Sequence, residues 1–110
     1  MEEKEFYSEL KGIIVKTDIS YDEYNNYIDI STNKSCLKMY DGYIRCGGFD
    51  NAFVDLPYSA VKQISYAVKS GIVLFLENGG YIVTRIYAKN IYLKEKWMID
   101  DTHIHLMDMS

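Results

Sequence analysis

Residues 36–46 read Cys36-Leu37-Lys38-Met39-Tyr40-Asp41-Gly42-Tyr43-Ile44-Arg45-Cys46, and this stretch decides the fold class. Asp-Gly is a preferred pair for a type I′ turn, whose two central residues both need a positive φ, and here it separates two runs of strand-forming residues. A two-residue loop sets Tyr40 opposite Tyr43, Met39 opposite Ile44, Lys38 opposite Arg45 and Leu37 opposite Cys46. Side chains alternate across a strand, so one face of this hairpin holds Leu37, Met39, Ile44 and Cys46. The other holds Cys36, Lys38, Tyr40, Tyr43 and Arg45. The first set is a core face and the second a wet face. The same register puts Cys36 opposite Gly47, with the two sulfurs on opposite sides of the ladder, where no disulfide can close. Two free thiols are expected, Cys46 as a small core hydrophobe and Cys36 as an exposed or half-exposed one.

Downstream, Phe53 to Leu56 reads as a strand that Pro57 confines to a sheet edge or an end. Ile64, Tyr66 and Val68 alternate with Ser65, Ala67 and Lys69 as a half-buried strand does, although residues 60–67 also fit a helix. Ile72 to Leu76, the turn Asn78-Gly79-Gly80 and Tyr81 to Tyr87 form a second hairpin. It is apolar on both faces, which places it centrally or under a second chain, and a homodimer through residues 72–87 is one expectation. Ala88, Ile91, Tyr92, Met98 and Ile99 fall on one helical stripe, predicting a closing helix near 88–99.

Upstream, Phe6, Leu10, Ile13 and Ile14 lie three and four apart, predicting a short amphipathic helix that ends near Gly12. Residues 12–19 equally open a strand. Asn25-Asn26 is a turn ahead of the alternating Tyr27 to Ile30. The fold expected is α+β and predominantly β: a small antiparallel barrel or sandwich of about six to seven strands, with a short N-terminal and a C-terminal helix. Residues 1–110 form one domain, of which 101–110 are read as a mobile tail.

A length of 110 residues with 48% hydrophobic composition is enough for one independent core. The net charge is −4, which opposes general attraction to nucleic acid or to anionic membranes and suits a basic protein partner. The acidic start Met1-Glu2-Glu3-Lys4-Glu5 is unlike a signal peptide, and no apolar run approaches the roughly 18 residues of a membrane span. The location expected is therefore cytoplasmic, the host cytoplasm if the chain is phage-encoded, with no membrane and no nucleic acid as partner.

Few residues suggest chemistry. Asp101-Thr102-His103-Ile104-His105 would project His103 and His105 from one face if extended, as a shared divalent metal requires. The string resembles the strand-end signature of amidohydrolases over about six residues, but the large barrel that carries their further ligands has no counterpart. Two histidines in a tail is the plainer reading, so neither a metal nor another cofactor is assigned. Gly42 and Gly47 have the outer spacing of a P-loop, yet Gly48 and Phe49 stand where Lys and Ser or Thr are required. Neither cysteine has a histidine near it in sequence to act as a base. No enzyme is expected. Tyr21, Tyr24, Tyr27, Tyr40 and Tyr43, with Arg45, can all fall outside the core face, and such residues concentrate in protein interfaces. Tyr is also an ordinary strand former, so strand filler is the competing explanation.

Short antiparallel strands followed by one terminal helix, with Leu56-Pro57-Tyr58, Val61, Ile64 and Tyr66 ahead of the second hairpin, resemble small bacterial pleckstrin-homology-like domains over roughly half the chain. The resemblance implies a scaffold for binding and not for catalysis. The basic headgroup loop of some members has no counterpart here. The function expected is a non-enzymatic macromolecule-binding protein, of the kind that inhibits a host defence factor or neutralises a toxin. The alternative is an oligomeric ligand-sequestering or metal-binding protein with its pocket at a subunit interface.

Overall fold

The computed structural model describes residues 1–47, 53–91 and 97–101. Helix α1 spans Glu3–Thr17. Eight strands follow among the described residues: β1 (Asp22–Tyr24), β2 (Tyr27–Ser31), β3 (Cys36–Tyr40), β4 (Tyr43–Gly47), β5 (Phe53–Pro57), β6 (Val61–Ala67), β7 (Gly71–Leu76) and β8 (Tyr81–Val83). They make two antiparallel sheets, a five-stranded one in the order β1-β2-β3-β4-β5 and a three-stranded one in the order β6-β7-β8. The described residues thus form a small, predominantly β, α+β domain built from two antiparallel sheets, with no closed barrel among them.

The hairpin that decides the fold has the register its turn dictates. Cys36 pairs with Gly47, Leu37 with Cys46, Lys38 with Arg45, Met39 with Ile44 and Tyr40 with Tyr43. Gly42 takes a positive φ of 86°, but Asp41 does not, so the two-residue loop keeps the expected register without being the type I′ turn that Asp-Gly favours. Leu37, Met39, Ile44 and Cys46 are all buried, and both thiols are free. Cys36 differs from expectation, being only 9% exposed. It lies in the outward row, but the Thr32–Ser35 turn and Phe53 border the same depression and leave its sulfur little solvent.

Helix α1 runs five residues past Gly12. Ile13, Ile14 and Thr17 are buried, so tertiary burial outweighs the cost of an internal glycine of about 1 kcal/mol. The helix ends at Asp18, which takes the left-handed conformation at φ 62°. Its buried Phe6, Leu10, Ile13 and Ile14 join one cluster with Ile28, Ile30, Leu37 and Ile44 from the five-stranded sheet and Val61, Ile64, Ile72 and Leu74 from the three-stranded one. One core therefore ties both sheets to the helix.

Residues 61–67 form a strand, entered through a single 3-10 turn over Tyr58–Ala60. Pro57 closes β5, and β5 is an edge strand, where its missing N–H leaves no gap in a ladder. The eighth strand, relative to the expectation, comes from the three-residue β1, too short for its pattern to register. The helix expected near 88–99 is not found among the described residues. Residues 88–91 are irregular, and residues 92–96 lie outside the described part. Met98 instead bridges Tyr66 in parallel: the Tyr66 N–H donates to Trp97 O at 2.7 Å and the Ile99 N–H to Tyr66 O at 2.9 Å. Covering the open edge of β6 satisfies backbone groups that would otherwise face water, and it sends Trp97 into the main core.

The second face of the three-stranded sheet is buried within one chain. Ala67, Val73 and Val83 form a separate cluster against which Phe75, Tyr81 and Ile99 pack. Asp101, read from sequence as the start of a mobile tail, accepts hydrogen bonds from Lys69 N at 2.9 Å and Ser70 Oγ at 3.0 Å. It clasps the β6–β7 turn.

Candidate functional site

Strand alternation divides the five-stranded sheet into an inner row that builds the core and an outer row that does not. Following the register, the outer row contains Tyr24 on β1, Asp29 on β2, Lys38 and Tyr40 on β3, Tyr43 and Arg45 on β4, and Phe53 and Asp55 on β5. Each acts through its cross-strand neighbours. The Tyr40 and Tyr43 rings stack with centroids 4.9 Å apart and planes 7° from parallel. The Arg45 guanidinium carbon lies 5.5 Å from the Tyr40 ring centroid. Arg45 Nε and Nη2 donate to the Asp55 carboxylate at 2.8 and 3.0 Å, the two-pronged arrangement that fixes a guanidinium plane. This bond holds the Asp55 carboxyl below its usual range and keeps Arg45 charged. Lys38 pairs with Asp29 at 3.3 Å, which raises the lysine.

Two depressions lie beside this cluster, and Lys38 and Tyr40 line both. The larger, about 500 Å³, is walled by Tyr24, Tyr27 and Tyr40 together with Asp22, Asp29 and Asp41. The smaller, about 370 Å³, is walled by Lys34, Cys36, Arg45 and Phe53. Tyr24 is 79% exposed and Phe53 58%, both large apolar surfaces left in water.

Of the six residues singled out by sequence, Tyr24, Tyr27, Tyr40, Tyr43 and Arg45 fall in the outer row by register. Tyr27 and Tyr21 are half-buried and pack against the main core. The Tyr27 hydroxyl donates to Glu3 Oε2 at 2.6 Å, and that carboxylate pushes the phenol up to about 12. The other Glu3 oxygen accepts the Gly42 N–H at 3.0 Å, so the start of α1 braces two hairpin turns beside the larger depression. Sequence reading missed Phe53 and Asp55 because the β4–β5 pairing that brings them to Arg45 is not signalled by any short turn.

Chemistry is sparse elsewhere. Among the described residues no group of three or more potential metal ligands occurs. His103 and His105 lie outside them. Burial pushes the Cys46 thiol up to about 12 and raises that of Cys36, so both stay protonated and weakly nucleophilic at neutral pH. No helix among the described residues is long and apolar enough to cross a membrane. Comparison of the chain with protein-family models, with curated proteins and with solved structures gives no match.

Proposed function

We propose that the chain is a non-enzymatic binding module that docks a protein partner on the outer face of its five-stranded sheet. The observation that carries this reading is the Tyr40–Tyr43 stack with Arg45 above it and Asp55 holding Arg45 in place. Stacked rings and a doubly bonded guanidinium are fixed before any partner arrives, which lowers the ordering cost of association. Tyr and Arg are also the side chains that most often dominate interface energetics. The protonated, weakly nucleophilic thiols point the same way. Such a module acts by occupying its partner, as an inhibitor or an immunity protein does.

The test places a photoreactive benzoylphenylalanine at Tyr43 or, as a control, at Val15, which is 60% exposed on α1. Irradiated in the organism that encodes the chain, the Tyr43 version is expected to give one dominant protein adduct and the Val15 version none. Equal adducts at both positions, or none at Tyr43, overturns the reading.

A further inference from the structure

The larger depression differs in chemistry from the rest of the outer face. Three tyrosines, Tyr24, Tyr27 and Tyr40, stand with three carboxylates, Asp22, Asp29 and Asp41, around a space of about 500 Å³. Lys38 also reaches it, but that ammonium is neutralised by Asp29 at 3.3 Å. Asp22 and Asp41 form no ion pair among the described residues, so the lining carries an excess of negative charge. Aromatic faces attract cations through their quadrupole, and carboxylates add a direct Coulomb term. Anions are repelled by the same lining. The walls are also held in position: Glu3 fixes the Tyr27 hydroxyl at 2.6 Å, and Tyr43 stacks on Tyr40 at 4.9 Å.

We infer that this depression is a cation-accepting aromatic cage that receives the ammonium or guanidinium end of a basic side chain from the docked partner. The inference rests on the docking reading above and makes it specific: the partner presents a protruding Lys or Arg, and the cage reads it. The adjoining Tyr43, Arg45 and Phe53 region supplies broad contact area, while the cage supplies charge selectivity.

The experiment titrates the full ¹⁵N-labelled chain with Nα-acetyl-lysine methylamide and, separately, with the uncharged Nα-acetyl-norleucine methylamide. Saturable amide shifts at Tyr24, Tyr27, Asp29 and Asp41 are expected for the lysine probe, with a dissociation constant on the order of millimolar. The norleucine probe should give less than about a tenth of those shifts. Tyr24→Ala, or Asp22→Asn with Asp41→Asn, should weaken the lysine probe at least about fivefold. These positions are exposed, and unchanged Ile44 and Leu74 amides would establish that the variants fold. No saturable shift, or equal shifts from norleucine, overturns the cage. Choline binding more than about tenfold tighter than the lysine probe overturns its assignment to a partner's side chain. If the lysine probe binds but Tyr43 yields no cross-link, the docking reading falls while the cage stands.

Discussion

The two sheets share one core yet treat their remaining faces in opposite ways. In β3, the middle strand of the five, buried Leu37 and Met39 alternate with half-buried Lys38 and Tyr40. In β7, the middle strand of the three, Ile72, Val73 and Leu74 are buried in succession. The first pattern leaves a sheet face free to carry Tyr40, Tyr43 and Arg45, and the second leaves none. A surface available for recognition and a surface consumed by folding are thus separated into different sheets, and substitutions should divide along the same line.

The largest expected contrast is between inward-facing β7 and the outer row. Val73→Asp puts a charge into the buried apolar cluster of Ala67, Val73 and Val83. It should cost about 4 kcal/mol or more and abolish the cooperative urea transition. Tyr43→Asp on the outer row should change stability by no more than about 1 kcal/mol. Comparable losses from the two variants would show that the outer row is structural, and would break the division.

The turns of the two sheets offer the next contrast. Gly71, at φ 74°, lies under the Ile86 backbone, and an added Cβ would come 2.4 Å from Ile86 O. Gly42 has the same kind of φ, 86°, but nothing lies within 4 Å of an added Cβ. Gly71→Ala should therefore lose about 3 kcal/mol, from strain and from a backbone clash that also strains the hydrogen bond of Ile72 N–H to Ile86 O. Gly42→Ala should lose only the left-handed backbone cost of about 1 kcal/mol. Urea denaturation of both variants measures the difference, and equal losses would remove the close approach at Gly71 as its cause.

What was legible in the sequence follows the same boundary. The alternating hairpin could be read to the residue, register and core face included, because an Asp-Gly turn fixes the loop length and only one alternation buries Leu37, Met39, Ile44 and Cys46. The outer-row Tyr40, Tyr43 and Arg45 followed from that alternation alone. The helix expected near 88–99 is not found among the described residues there, because the strand-like edge contact between Met98 and Tyr66 depends on where β6 ends up, which no local period encodes. Helix α1 was cut short at Gly12 because propensity is local and the burial of Ile13, Ile14 and Thr17 is not. Residues at the cage suffered similarly: Asp22, Asp29 and Asp41 are scattered in sequence and gather only when β1, β2 and the β3–β4 turn meet.

The two cysteines test the inner and outer rows of a single hairpin. Burial pushes Cys46 up to about 12 from an ordinary 9.0, whereas Cys36 is raised with Lys38 opposing the shift. A thiol whose folded pKa is raised favours the folded state below its unfolded pKa and loses that contribution as pH climbs towards the folded one. Stability should thus fall above about pH 9, with Cys46 contributing up to about 1.4 kcal/mol per pH unit until about pH 12. Cys46→Ala should flatten that decline relative to the parent, at the expense of a lower plateau at pH 7 from the lost core volume. Iodoacetamide at pH 8 should leave Cys46 unmodified until urea unfolds the chain. Rapid native-state alkylation of Cys46 would contradict its place in the core.

The smallest effect concerns how the closed sheet is fastened. Asp101 accepts from Lys69 N and Ser70 Oγ, and three residues earlier Met98 lies along the β6 edge, so the clasp and the edge strand reinforce each other. Asp101→Ala removes two hydrogen bonds at a turn that water can still reach, which should lower global stability by only about 1 kcal/mol. Its local consequence is larger. Loss of the clasp should free the 97–101 segment from β6, so the amides of Tyr66, Lys69 and Ile99 should exchange with solvent faster than in the parent. Those of Leu37 and Ile44, in the other sheet, should not change. Equal acceleration in both sheets would mean that the clasp governs the whole domain, and that the second face of the three-stranded sheet is less independently closed than its burial implies.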